Sequence, residues 1–411
     1  MPTTQDQSRQ PREAVIANRY FPVEEYEDRW ARTHALMEQR GIEAAVVWGR
    51  AGGTYDRCAD PLYLTNHYSS ASGQELDNPL NNARAFSAVI LKPGEVPELH
   101  VDEPDPRMDL IATDRVAWHS DPIAGVAAAL NRRGITGPVA LVGTDLLPMK
   151  YWRELEAATP DIDWQPTDDL IQAVRRVKSP REHDCLREGG EIASRALNRL
   201  MEGLVGGRTE AEAVGDAVSE LIRSGATCQL IPVASGESIS RWCTDPFTGC
   251  STVAPKPGDM VRGWLDSIIF QGYWLDPGRT AVAGGKPNRA QTELMENCAH
   301  IVGQVIEQIR PGAKVVDVAR FGDRLSAELG GAGSQMNQQW PLYGHGIGMY
   351  WEHPYIGVET CDHNDRFEAG MALGVEVFLA AEGVGLAAFE QNLLLHDDGT
   401  EIITHSPMFW W

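Results

Sequence analysis

The sequence predicts an α/β (α+β) protein built from two domains. Strands alternate with helices over residues 20–170, whereas from Thr252 the pattern changes to strands and turns. Between them, Val177-Lys178-Ser179-Pro180-Arg181-Glu182 reads as a boundary, because Pro180 suits the first turn of a helix and Ser179 its cap. Residues 1–20 are expected to be a polar tail, 21–175 an N-terminal α/β domain and 176–411 a second domain that carries the chemistry.

The elements follow from local pattern. Tyr26, Trp30, Thr33, Leu36 and Met37 fall on one face of a helix over Glu24–Arg40, which Gly41 ends. Ala44-Ala45-Val46-Val47-Trp48 is a buried strand. Phe86–Leu91, closed by Lys92-Pro93-Gly94-Glu95, and Val139–Val142 are two more. Thr54–Arg84 lies between strands and is rich in Asn, Ser, Asp and Tyr, the composition of a long functional loop. After Pro180 a helix continues through Leu186, Ile192, Ala193, Ala196 and Leu200. Thr209 and Glu212 form a capping box for the next helix, with Val214, Ala217, Val218 and Leu221 on its apolar face. A further long helix is expected around Gln291–Ile309.

Composition narrows the partners. With 58 acidic and 36 basic residues, the formal net charge is −22. That excess argues against nucleic acid and anionic membrane surfaces. The seven cysteines are odd in number and form no C-x-x-C pair, which argues against a disulfide framework or a structural zinc site. Neither an apolar signal core nor a run long enough to span a bilayer is present, so a cytoplasmic protein is expected.

Candidate chemistry gathers in the second half. Asp266 and Asp276 bracket an apolar segment with Gly272 near its middle, a pattern for a β-hairpin that brings the two carboxylates together. His345 sits between glycines in Gly344-His345-Gly346-Ile347-Gly348, where a backbone can approach closely. Glu376 and Glu390 each interrupt an apolar strand, a costly place for a carboxylate without a partner or a metal ion. Singly, each glutamate reads as a solvent-facing strand residue and the histidine as a hydrogen-bonded one. Together they form an oxygen-rich shell with one imidazole, suited to manganese, iron or cobalt, with zinc also acceptable.

These residues stand in blocks that resemble the pita-bread family of methionine aminopeptidase, Xaa-Pro peptidases, prolidase and creatinase. Gly258-Asp259 through Asp276-Pro277-Gly278-Arg279-Thr280 resembles its first metal-ligand block. Gly344-His345-Gly346-Ile347-Gly348-Met349 is similar to its histidine block, and Glu368-Ala369-Gly370-Met371 followed by Glu376 to the next. Phe389-Glu390 with Leu393-Leu394 and Asp398-Gly399 resembles its closing strand, and Lys178-Ser179-Pro180 with Glu182 the opening of the prolidase–creatinase branch. The blocks run in the family's order over 177–404.

The resemblance implies a creatinase-like N-terminal domain and a C-terminal pita-bread catalytic domain. Its activity would be metal-dependent hydrolysis of a C–N bond in a small substrate or short peptide. Two divalent transition-metal ions (Mn, Fe, Co or Zn) would share the ligands Asp266, Asp276, His345, Glu376 and Glu390, polarising a carbonyl and activating a water. One of the glutamates, Glu376 in particular, would pass a proton to the leaving nitrogen. A homodimer with a shared active site is also implied, with Arg84 reaching the neighbouring subunit's pocket; Arg57 is a weaker candidate.

The departures from the family are as specific. Aligned on the Gly258-Asp259 turn, the usual first-ligand position falls on Trp264, so either a bulge lets Asp266 serve or that ligand is lost. The histidine expected seven residues beyond His345 is replaced by Glu352, with His353 next. Xaa-Pro peptidase residues are replaced by Pro341 and Ala388, and the expected upstream histidine is missing near Arg241–Pro246. Trp242, Tyr343, Tyr350 and Trp351 are candidate substrate-binding walls, suited to a small cationic or heterocyclic ligand, with Glu352 and His353 as candidate acid–base groups. Three alternatives within this fold remain open here: an Xaa-Pro peptidase proper, a lyase resembling the dimethylsulfoniopropionate-cleaving branch, and a metal-free creatinase-like hydrolase. A non-catalytic binding module is disfavoured, since unpaired buried carboxylates are costly to keep.

Overall fold

A computed structural model describes residues 20–50, 58–69, 85–329 and 340–411. The chain divides into two compact units that part between Leu170 and Ile171. In the first, α1 (Val23–Gln39) buries Tyr26, Trp30, Thr33 and Met37. It is followed by β1 (Ala44–Arg50), α2 (Ala59–Thr65), β2 (Phe86–Leu91), β3 (Glu98–Val101) and β4 (Arg115–Trp118). Then come α3 (Pro122–Arg132), β5 (Pro138–Val142), α4 (Met149–Ala158) and β6 (Asp163–Pro166), and α5 (Asp169–Arg175) spans the point where the units part.

Among the described residues these strands form one sheet in the order β4-β3-β2-β1-β5-β6. β1 runs antiparallel to β2 and parallel to β5, so the sheet is mixed. The core joins Val46, Trp48, Phe86, Ile90 and Leu141 to Val126 and Leu130 of α3 and Tyr151 and Leu155 of α4. On β3, Glu98 accepts from Arg115 at 2.9 Å and from Arg133. Its Oε1 lies 3.1 Å from His100 Nε2. The His100 hydrogen bond, then the neighbouring positive charges, hold Glu98 down at about 2 despite partial burial.

The second unit starts with α6 (Pro180–Val205). The Ser179 side chain caps the Glu182 N–H and the Glu182 carboxylate caps the Ser179 N–H. Tyr273 also donates to Glu182, at 2.7 Å. α7 (Glu210–Arg223) has the same box from Thr209 and Glu212. Next come β7 (Thr227–Cys228), β8 (Val233–Ser235), β9 (Met260–Trp264), β10 (Ile268–Phe270), β11 (Tyr273–Leu275) and β12 (Gly278–Val282). The unit closes with α8 (Arg289–Gln308), α9 (Val315–Glu328), β13 (His345–Ile347), β14 (Trp351–Tyr355), β15 (Ala372–Ala381), β16 (Gly385–His396) and β17 (Gly399–Ile402).

Among the described residues the main sheet runs β14-β13-β15-β16-β12-β9-β8, with β17 on β16. Side-chain alternation splits its long strands into two faces. Val375, Val377, Leu379, Ala387, Phe389 and Leu393 join Met295, Ile301, Val302 and Val305 of α8 in the core. Each Val, Leu, Ile, Phe or Met side chain among them contributes about 1.5–3 kcal/mol by leaving water. The intervening positions, Glu376, Phe378, Ala388 and Glu390, face the other way and build the site.

Candidate functional site

Register brings the acidic residues together. Glu376 of β15 lies directly opposite Glu390 of β16, and Glu390 in turn opposite Gly278 of β12. Asp276 sits in the corner between β11 and β12, and His345 opens β13 opposite Gly374 of β15. Ligand atoms of Asp276, His345 and Glu390 lie within 4.8 Å of one another, and all three residues are buried. Glu376 flanks the group, its Oε1 3.7 Å from His345 Nε2. Gly374 gives this cluster room, since a Cβ there would overlap the Glu390 carboxylate.

The predicted hairpin forms: β10 and β11 pair with Phe270 opposite Tyr273, and Gln271 and Gly272 at φ 53° and 88° make the two-residue turn. Below it, Trp264 pairs with Gly278 and Ile268 with Leu275. The three residues Leu265, Asp266 and Ser267 therefore face only Asp276 and Pro277, which is a bulge, with Ser267 in the left-handed region at φ 59°. Asp266 lies on this bulge, its Oδ1 accepting from Ser267 at 3.0 Å, outside the tight group of Asp276, His345 and Glu390. Trp264 is buried and stacks on Phe378, ring centroids 5.2 Å apart at 15°. Gly278 is required beneath it, because a Cβ there would fall within the indole.

The electrostatics of the group call for a cation. His345 Nδ1 lies 3.0 Å from the Gly346 carbonyl oxygen, which can only accept, so Nδ1 carries the hydrogen. Nε2 then faces Asp276 Oδ2 at 3.3 Å and Glu376 Oε1 at 3.7 Å. A neutral imidazole would aim a lone pair at two carboxylates; a proton or a metal ion between them removes the conflict. Burial works against the charged ring, but Asp276 and then Glu376 outweigh it and raise His345 to about 9. Burial likewise pushes Glu376 up to about 7, against the pull of His345 and the Trp340 N–H. Burial, then the charges of Asp276 and Glu376, drive Glu390 well above the usual carboxylate range. Burial also opposes ionisation of Asp276, but the charge and hydrogen bond of His345 bring it below its ordinary value. Asp266 rises to about 6 through burial and the Asp276 charge. Glu390 Oε2 is buried without a hydrogen-bond partner among the described residues. Two carboxylates and an imidazole whose ligand atoms converge within 4.8 Å, with a buried carboxylate oxygen left unpartnered, are the donor set a divalent ion takes, so these residues fit a metal ion.

Two residues that the sequence gave no reason to single out complete the surroundings. Trp340 Nε1 donates to Glu376 Oε1 at 2.7 Å. Asn392 Nδ2 donates to Asp276 Oδ1 at 2.9 Å and to Glu390 Oε1 at 3.1 Å. Beneath the strands, Arg279 is fully buried and binds the Glu390 carbonyl at 2.5 Å, Gln391 Oε1 at 2.9 Å, Pro407 O at 3.0 Å and Ser406 O at 3.2 Å. Its guanidinium is brought down to about 10 by burial.

A cavity of about 450 Å³ opens on His345, lined by Trp340, Leu342, Trp351, His353, Tyr355 and Thr360. Trp351 lies over the His345 imidazole, ring centroids 4.9 Å apart, and its Nε1 is shielded without a partner among the described residues. His353 is exposed beside Tyr355. Trp242 is not in this cavity; it packs on Trp264 and Phe378 at 6.0 and 6.4 Å.

Two candidates need correction. Tyr343, expected to touch substrate, turns into the core, where its hydroxyl donates to Asp323 at 3.0 Å and meets Ser326 at 3.2 Å. Gly344, at φ 137°, breaks the alternation that would have put Tyr343 on the face of His345. Glu352, expected as an acid–base group, is buried in an ion pair with Lys178 Nζ at 2.5 Å, with Arg175 at 3.7 Å. It lies under Gly348, where a Cβ would strike its carboxylate. Arg57 and Arg84 lie outside the described residues.

Residues 184–397 match metallopeptidase family M24. The chain is 28% identical over 406 residues to a probable dipeptidase PepE of Mycobacterium bovis, covering 95% of this chain and 98% of the relative. It is 25% identical over 260 residues to an Xaa-Pro dipeptidase of Pyrococcus horikoshii, covering 63% of this chain and 71% of that one. Its fold matches the crystal structure of dipeptidase PepE from Mycobacterium ulcerans with a TM-score of 0.73 at 24% identity, covering 95% and 98% of the two chains. It also matches an Xaa-Pro dipeptidase from Bacillus anthracis with a TM-score of 0.74 at 20% identity, covering 93% and 98%. The chain therefore belongs to metallopeptidase family M24 and is a metal-dependent hydrolase acting on C–N bonds.

Proposed function

We propose that the protein hydrolyses short peptides of dipeptide size at the cluster of Asp276, His345, Glu376 and Glu390. The observation that carries this reading is His345 Nε2 set 3.3 Å and 3.7 Å from two carboxylate oxygens, with a ligand atom of Glu390 within 4.8 Å of those of Asp276 and His345. The PepE relative over 95% of the chain supports a dipeptide-sized substrate. A bound divalent ion, of manganese, iron, cobalt or zinc, would supply Lewis acidity and an acidified water.

The protein's own groups do the rest. Asp276, His345 and Glu390 would hold the ion, with Glu376 beside them and Asp266 across the bulge. Glu376, whose Oε1 lies 3.7 Å from His345 Nε2, is placed to take a proton from water and return it to the leaving nitrogen. Trp340 fixes that carboxylate by its N–H. Trp351 packs over the His345 ring and holds it in place. The cavity over His345 is walled by Trp340, Leu342, Trp351 and Tyr355, which favours an apolar or aromatic substrate side chain, with His353 at its rim. Trp242 would act only through Trp264 and Phe378, as part of the wall behind the cluster. Lys178 neutralises Glu352, which leaves it a structural rather than a proton-transfer role.

A cytoplasmic homodimer with a shared active site, completed by Arg84, is part of the same reading through the family resemblance. No helix among the described residues is long and apolar enough to cross a membrane. The test is turnover of a dipeptide panel, with and without proline in the second position, by chelator-treated protein before and after addition of divalent metal. Metal-restored cleavage of apolar dipeptides is expected. Release of an alkene product without water uptake, or no cleavage of any dipeptide by metal-loaded protein, would overturn the reading.

A further inference from the structure

Asn392 lies two residues beyond Glu390 on β16, so its side chain leaves the strand on the same face. It is fully buried. The Asp276 backbone N–H donates to Asn392 Oδ1 at 3.1 Å, which fixes the orientation of the amide. Its nitrogen must then face the acids, and its two hydrogens go to Asp276 Oδ1 at 2.9 Å and Glu390 Oε1 at 3.1 Å. Those are two oxygens that a second ion, shared between Asp276 and Glu390, would need on that side. An amide NH₂ carries partial positive charge on both hydrogens, so it supplies the counter-charge there and repels a cation.

The side toward β9 is closed as well. Trp264 stands there, 2% exposed, stacked on Phe378 and seated over Gly278. It offers no ligand atom. Asp266 lies across the bulge with one oxygen bound to Ser267. The ligand atoms that lie within 4.8 Å of one another belong to Asp276, His345 and Glu390, with Glu376 Oε1 at the edge, 3.7 Å from His345 Nε2.

We infer that this centre takes a single divalent ion on the His345 side, and that the Asn392 amide and the Trp264 indole occupy the place of a second. The inference rests on the reading of the cluster as a metal site. It makes the protein a mononuclear variant, in which one ion and Glu376 share the tasks that a pair of ions would divide.

The test is metal stoichiometry rather than turnover. Protein stripped with chelator and reloaded with Mn²⁺ is titrated calorimetrically, assayed for metal content and examined by low-temperature electron paramagnetic resonance. One equivalent and the hyperfine pattern of isolated Mn²⁺ are expected. The near-isosteric Asn392→Asp, and Asn392→Asp combined with Trp264→Asp, are each expected to take up a second equivalent, with exchange coupling between the ions. Circular dichroism identifies any variant that fails to fold. Two equivalents with a coupled signal in the unaltered protein overturn the inference and leave the metal site standing. A folded Asn392→Asp that still binds only one overturns the role given to Asn392. No binding by the unaltered protein overturns both the inference and the reading beneath it.

Discussion

Lys178→Met tests what Glu352 is for. The Lys178 ammonium lies 2.5 Å from Glu352 Oε2, and both side chains are 1% exposed. At an effective dielectric near 20, that separation corresponds to a gross attraction of about 7 kcal/mol. Desolvation of both ions consumes most of it, and removing one partner of a buried pair typically costs about 3–5 kcal/mol. Arg175, 3.7 Å from the other Glu352 oxygen, still offers partial compensation. A loss of about 3 kcal/mol is therefore expected, near the lower end of that range. The assay is urea unfolding followed by tryptophan fluorescence, reading the transition of the 171–411 unit. Adding Glu352→Gln to Lys178→Met removes the stranded charge and should recover about half of the loss, roughly 1.5 kcal/mol. Glu352→Gln alone, held below its unfolding temperature, should keep its turnover within a few-fold. If Lys178→Met unfolds at the urea concentration of the unaltered protein, the argument is wrong. It is equally wrong if folded Glu352→Gln has no turnover, because Glu352 would then be a reacting group.

Two further expectations concern single side chains. Glu98 titrates at about 2 in the folded state against an ordinary 4.5, so its contribution is complete above the higher value and is lost as pH falls toward the lower one. Glu98→Gln should cost about 1–2 kcal/mol at neutral pH, after allowance for solvent screening, with the difference vanishing in acid; a gap independent of pH in urea midpoints would contradict this. Trp351→Phe keeps a ring over His345 and removes a shielded N–H that has no partner among the described residues, so thermal stability should be unchanged or slightly raised and kcat/KM should hold within about threefold. A fall of roughly tenfold in kcat/KM would show instead that the indole N–H meets the substrate.

What the sequence made legible was either local or expensive. The boxes at Ser179–Glu182 and Thr209–Glu212 are closed within one helical turn, so their residues announce themselves. The mixed α/β class followed from alternating strand and helix patterns, and the hairpin from Gly272 amid apolar residues. Glu376 and Glu390 stood out because a carboxylate inside an apolar strand needs a reason. The rest of the site depends on register, which links distant segments and leaves no local trace. Asn392 looks like any strand residue until β16 lies beside Asp276, and Trp340 like any aromatic residue until it reaches Glu376. Tyr343 misled because its alternation with His345 is regular on paper and is undone by the backbone of Gly344. Trp264 was visible as a departure from the family, but its place over Gly278 became apparent only with the fold.

The hydrogen bonds of Arg279 tie the segment around Ser406 and Pro407 to the strand that carries Glu390. That segment is thereby a foundation of the proposed active centre and not an appendage to it. A protease, a partner or a fused sequence that peels it away would expose a guanidinium evolved for carbonyl oxygens, and would loosen the acidic cluster without touching any of its members. Damage far along the chain would then register first as a weakened hold on metal, before any sign of unfolding.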